Sequence, residues 1–102
     1  MESLGRFAEP SVLILTSLAG GPKHGYALMQ DIEELTGAKI GPGTLYAALG
    51  RLEQRALIET LPPENRRLPY RITTAGASAL RSYLEHAQRV TTTGLTRLAA
   101  FA

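Results

Sequence analysis

The chain has 102 residues, room for one small domain with limited capacity to bury surface. It is 44% hydrophobic and 20% charged with a net charge of +2, and it has no cysteine. That excludes a disulfide scaffold, a thiolate metal site and a cysteine nucleophile. The apolar run Val12 to Leu15, like every other in the chain, is far too short to span a bilayer. The N-terminus shows no basic segment followed by an apolar one, so no leader is expected and a reducing cytoplasm is the expected setting.

Charge is unevenly placed. Residues 1–50 carry three basic and five acidic side chains, whereas residues 65–102 carry six arginines against one acid, Glu85. A basic C-terminal part fits an anionic partner such as nucleic acid, and fits a solvated arginine-rich helix face equally well.

The first element is PSVLILTSL from Pro10, apolar nearly all round and stopped by Gly20-Gly21-Pro22. It reads as a buried helix at the centre of the core. A second helix is expected over about His24 to Leu35, with Leu28, Ile32 and Leu35 as its apolar stripe and Gly37 as its stop. The third opens at GPGTLYAALGRLEQ, residues 41–54. Leu45, Ala48, Leu49 and Leu52 share one face; Ala47, Gly50, Arg51 and Gln54 lie opposite, flanked by Thr44 and Tyr46. The period then changes. LIETL (57–61) and PYRIT (69–73) read as short strands, and PPENRRL between them is too long for a tight turn and should project. From Thr74 a last helix runs almost to the end, with Ala77, Leu80, Leu84, Ala87, Thr91, Gly94, Leu98 and Phe101 as an impure heptad seam. TTTG at 91–94 is poor helix material and marks the place for a break.

Three helices, a basic-tipped hairpin and a long helix give a mainly α fold with a small β-hairpin wing. This is the order of a winged helix-turn-helix followed by a long C-terminal dimerisation helix. We divide it into residues 1–74 (DNA-binding, with an N-terminal helix able to join the dimer interface) and 75–102 (dimerisation). In such folds the second helix of the pair enters the major groove by its N-terminal end. Gly41 can then serve as N-cap, Pro42 fits the first turn, and Gly43 leaves the backbone bare beside free N–H groups that suit a phosphate. The residues expected at double-stranded DNA are Gly43, Thr44, Tyr46, Ala47 and Arg51 on this helix, with Arg66 and Arg67 at the wing tip. Rival structural roles exist. Tyr46 can pack its ring on the second helix, Gly50 can serve close helix packing, and Arg51 and Arg55 can pair with Glu53 or Glu59.

The motifs HGYALMQDIEELTG (24–37), PGTLYAALGRLEQRALIE (42–59) and NRRLPYRITTAG (65–76) resemble the short subfamily of the PadR family of bacterial transcriptional regulators. The resemblance covers about residues 10–85. It implies a homodimeric DNA-binding regulator, usually a repressor released by a small molecule. The dimer residues expected are Leu80, Tyr83, Leu84, Ala87, Thr91, Leu95 and Leu98. For a small aromatic or hydrophobic effector, Phe7 and Tyr83 are the candidate pocket residues, with ordinary dimer packing as their alternative role. Two departures stand out: Ala47 follows the tyrosine where the family commonly has proline, and the wing reads NRRLP rather than a Gly-Arg-Pro run. No cofactor or metal site is expected. His24 and His86 lack the spacing of metal ligands or an acid–base pair, and GGPKHG lacks the spacing of a phosphate-binding loop, so an enzyme is not expected. The competing readings are a winged-helix module that only dimerises or docks on protein, and a DNA-architectural protein without sequence preference.

Overall fold

The structure, a computed structural model, describes residues 10–101. Helix α1 spans Pro10–Leu18, with proline at the first position where a missing N–H costs nothing. Ile14, Leu15 and Leu18 are buried, and Val12 and Leu13 pack against the same cluster. An all-round apolar helix makes sense here because three other helices and a strand touch it. Ser17, buried on this helix, donates to the Asp31 carboxylate (2.5 Å), while the Lys23 ammonium donates to the Ser17 carbonyl and caps the helix end.

Strand β1 is only Lys23–His24, followed directly by α2, Gly25–Thr36. Leu28 and Ile32 enter the core. Gly37 ends α2 with φ 75°, and its amide donates to the Glu33 carbonyl (2.7 Å). The expected stripe fails at Leu35, which is 53% exposed. The last turn of α2 overhangs the core, and residues 33–39 all face solvent. Helix α3, Pro42–Gln54, starts from Gly41 as N-cap and buries Leu45, Ala48, Leu49 and Leu52, the face read from the sequence.

Strands β2 (Ile58–Thr60) and β3 (Pro69–Ile72) pair antiparallel with Ile58 opposite Ile72 and Thr60 opposite Tyr70. The sheet has three strands in the order β1-β3-β2, not the two of a simple hairpin, because Lys23 and His24 pair with Tyr70 and Pro69. The tip also differs from the projecting loop expected. Glu64 and Arg67 exchange both backbone hydrogen bonds at 2.8 Å, closing a two-residue turn. Its central residues, Asn65 and Arg66, have φ 48° and 66°, the left-handed sign that a strand-compatible tight turn requires.

Helix α4 runs unbroken over Thr74–Ala99. Thr73 caps it, its hydroxyl accepting from the Gly76 amide (3.0 Å). A side chain at Gly76 would collide with the Leu57 carbonyl, so glycine lets the first turn sit directly on the backbone beyond α3. The expected break at 91–94 is absent. Its residues cost roughly 0.5–1 kcal/mol each relative to alanine, and propagation from a capped, docked first half carries the helix through them. Leu80, expected in the dimer seam, is only 6% exposed and lies in the chain's own core. The first turns of α4 thus belong to the same packed body as α1 and β3, and the remainder extends the molecule to 57 Å.

Candidate nucleic-acid interface

The outer face of α3 is unusually bare. Gly43, Ala47 and Gly50 fall on one ridge at helical spacing, and all three are exposed. A side chain added at Gly43 or Gly50 would meet nothing within 4 Å. Close packing among the described residues therefore does not explain Gly50, which leaves its cost to helix stability unrepaid by any contact among them. Thr44 and Arg51 border the ridge on one side and Tyr46 on the other, all exposed. The Gly41 N-cap makes no side-chain hydrogen bond, so the amides of the first turn are left without a side-chain cap.

Tyr46 is 51% exposed, and its hydroxyl end lies over Gly25, where a Cβ would collide with it. The two motifs thus meet: the glycine of HGY is the seat for the tyrosine of GTLY. Tyr46 thus packs on the start of α2, the structural role expected for it, while half its surface stays open. Tyr70 lies in the same hollow, lined also by His24, Tyr26 and Arg66. Burial, with Tyr46 and Glu53 adding to it, raises the Tyr70 phenol above its ordinary pKa, so it stays a neutral hydrogen-bonding group.

The three wing arginines differ. Arg71 lies opposite Glu59 in the sheet and makes a double hydrogen bond to its carboxylate. That pair consumes Glu59, and Arg51 and Arg55 make no ion pair among the described residues. Arg66 sits at the turn itself, and Arg67 reaches back to His24, Nη1 to Nε2 at 3.2 Å. One concave surface thus gathers α3, the start of α2 and the wing. His24 and Gly25 were read from the sequence only as a helix start; what they do for Arg67 and Tyr46 depends on β1 pairing, which two residues cannot signal.

The exposed apolar residues of α4, with Phe101 just beyond its end, form a separate region. Tyr83, Leu84, Val90, Leu95, Leu98 and Phe101 are all open to solvent, Phe101 at 81%, and Ala87 is half-buried. A groove between the end of α1, β3 and α4 is lined by Ala19, Ile72, Ala77, Leu80 and Leu84; Tyr83 is not among its walls. Phe7, the other expected effector contact, lies outside the described residues. No described helix is long and apolar enough to cross a membrane.

Comparison with known proteins follows the same lines. The chain is 43% identical over 75 residues to a 37.1 kDa protein in transposon TN4556 of Streptomyces fradiae, covering 74% of this chain and 22% of that one. It is 31% identical over 87 residues to the transcriptional activator GvpE2 of Halobacterium salinarum, covering 85% and 42%. The chain therefore spans less than half the length of either curated relative. A transcriptional regulator from Clostridium thermocellum has a similar solved structure, with TM-score 0.79, 28% identity and coverage of 95% and 96%. The profile of the transcriptional regulator PadR-like family matches residues 14–82, which take in α2, α3, the wing and the docked start of α4. The chain belongs to the PadR-like family of transcriptional regulators, with the winged-helix fold of that family.

Proposed function

We propose that the chain is a homodimeric, sequence-specific DNA-binding regulator that reads the major groove with α3 and grips the backbone with its wing. One observation carries this reading: a glycine-bare ridge on α3 whose bareness nothing among the described residues requires. Gly43, Ala47 and Gly50 allow close approach, Thr44 and Tyr46 offer hydroxyls to phosphates, and Arg51 reaches a phosphate or a guanine edge. Arg66 and Arg67 supply the wing's charge. Dimerisation is supported by the apolar stripe of α4, in which Leu84, Leu95 and Leu98 continue the face that Leu80 buries. Ala87 and Thr91 lie along it as small residues, with Tyr83 on its flank.

Repression with release by a small aromatic or hydrophobic effector is the mode the family resemblance supplies, while one relative is named an activator. The test is a selection from random duplex DNA at two salt concentrations, repeated with Arg66→Ala/Arg67→Ala. The expected outcome is a palindromic site whose affinity falls with salt and with the wing change. Failure of the wild type to enrich any site, with no salt dependence, would leave a protein-docking module instead.

A further inference from the structure

We infer that His24 is a positioning residue for the wing, holding the Arg67 guanidinium at the DNA-facing surface without neutralising it. The inference rests on the DNA-binding reading above. Register brings the two residues together. His24 pairs with Pro69 in the sheet, and Arg67 stands two residues before Pro69 on the same side of the chain. They are therefore diagonal cross-strand neighbours, and Nη1 lies 3.2 Å from Nε2. Arginine has donors only, so the imidazole must accept, with Nε2 unprotonated and its proton on Nδ1.

The chemistry of the acceptor matters. Arg71 on the next strand pair is matched by the Glu59 carboxylate, which cancels its charge. Arg67 is held by a neutral ring and keeps its whole positive charge for a phosphate. Glu64 and Lys23 line a second hollow together with His24 and Arg67, yet neither forms an ion pair with Arg67 or His24. Glu64 meets Arg67 through backbone bonds alone. A long side chain fixed in advance loses less freedom on binding, which is what a clip of this kind contributes. His24 also precedes Gly25, the seat of Tyr46, so one dipeptide sets the place of a recognition-helix residue and a wing residue together.

The test uses fluorescence anisotropy with the full chain and a labelled mixed-sequence DNA duplex, titrated at several salt concentrations. Wild-type affinity that falls with salt establishes the DNA reading independently. Against that baseline, His24→Ala should weaken binding about fivefold, the scale of one net hydrogen bond. It should also lower the salt slope by about one phosphate, as Arg67→Ala should. The double variant should bind no worse than Arg67→Ala alone, since the two act through one contact. Rescue is the decisive arm: His24→Gln places a neutral acceptor near the Nε2 position and should recover most of the loss, whereas His24→Asn is too short and should not. Full additivity of the two alanine changes, equal binding by the Gln and Asn variants, or tighter binding by His24→Ala would each overturn the inference. If the wild type shows no salt-dependent binding, the DNA reading falls and this inference with it.

Discussion

Replacing Gly50 by alanine should make the protein more stable, although it adds a group to the face proposed to meet DNA. Gly50 lies inside α3, between the buried Leu49 and Leu52, and a methyl group there touches nothing within 4 Å. With no steric term to offset it, the gain is the helix preference of alanine over glycine, about 0.5–1 kcal/mol. For a domain of this size that corresponds to a rise in Tm of roughly 2–8 °C. Circular dichroism melts at several protein concentrations would read it, because the proposed dimerisation would make Tm concentration-dependent. Gly50→Leu retains the helix gain but sets a four-carbon side chain on the ridge, and should weaken affinity for the selected duplex about tenfold or more, about 1.4 kcal/mol. A lower Tm for Gly50→Ala would show that the site is packed against another copy. Unchanged affinity for Gly50→Leu would remove the ridge from the groove and refute the proposed docking.

Other substitutions separate fold from function. Gly25→Ala should weaken duplex binding several-fold while costing under about 1 kcal/mol of stability, because the clash is with the movable end of the exposed Tyr46; titration and melts compare the two. Gly76→Ala meets backbone rather than a mobile side chain and should cost about 2–3 kcal/mol in chemical denaturation. Arg66→Gly relieves a left-handed arginine worth about 1–2 kcal/mol, offset by about 0.5–1 kcal/mol of glycine entropy. A small gain in Tm with a salt slope lower by about one is expected. Leu98→Asp, at an exposed position of the α4 stripe, should shift sedimentation toward monomer without loss of helical signal from the winged domain.

What the sequence disclosed, and what it hid, follows from range. Pro10, Gly37 and the Gly41-Pro42 entrance act within a turn, and α1, α2 and α3 begin or end where those residues say. The bare outer face of α3 was likewise legible, since helical spacing alone places Ala47 and Gly50 opposite the buried leucines. Strand β1 was not, because two residues have no period and Lys23–His24 becomes a strand only when β3 lies beside it. The tight wing turn was concealed by Arg66, which stands where glycine is the usual partner of asparagine. Leu35 and Leu80 were misassigned for one shared reason. A stripe gives the direction a side chain faces but not where along the helix the neighbouring body begins or ends.

The continuity of α4 has a mechanical consequence. A helix of 26 residues is about 39 Å long, and no hinge interrupts it between the turn seated on the Leu57 carbonyl and its far end. Such a rod transmits a tilt instead of absorbing it. A rotation of about 5° at the docked end displaces the other by about 3 Å over that length, and a push at the far end is returned to α1 and β3 with the same leverage. In a dimer joined along these rods, the separation of the two α3 helices becomes a direct function of the angle at which the rods cross.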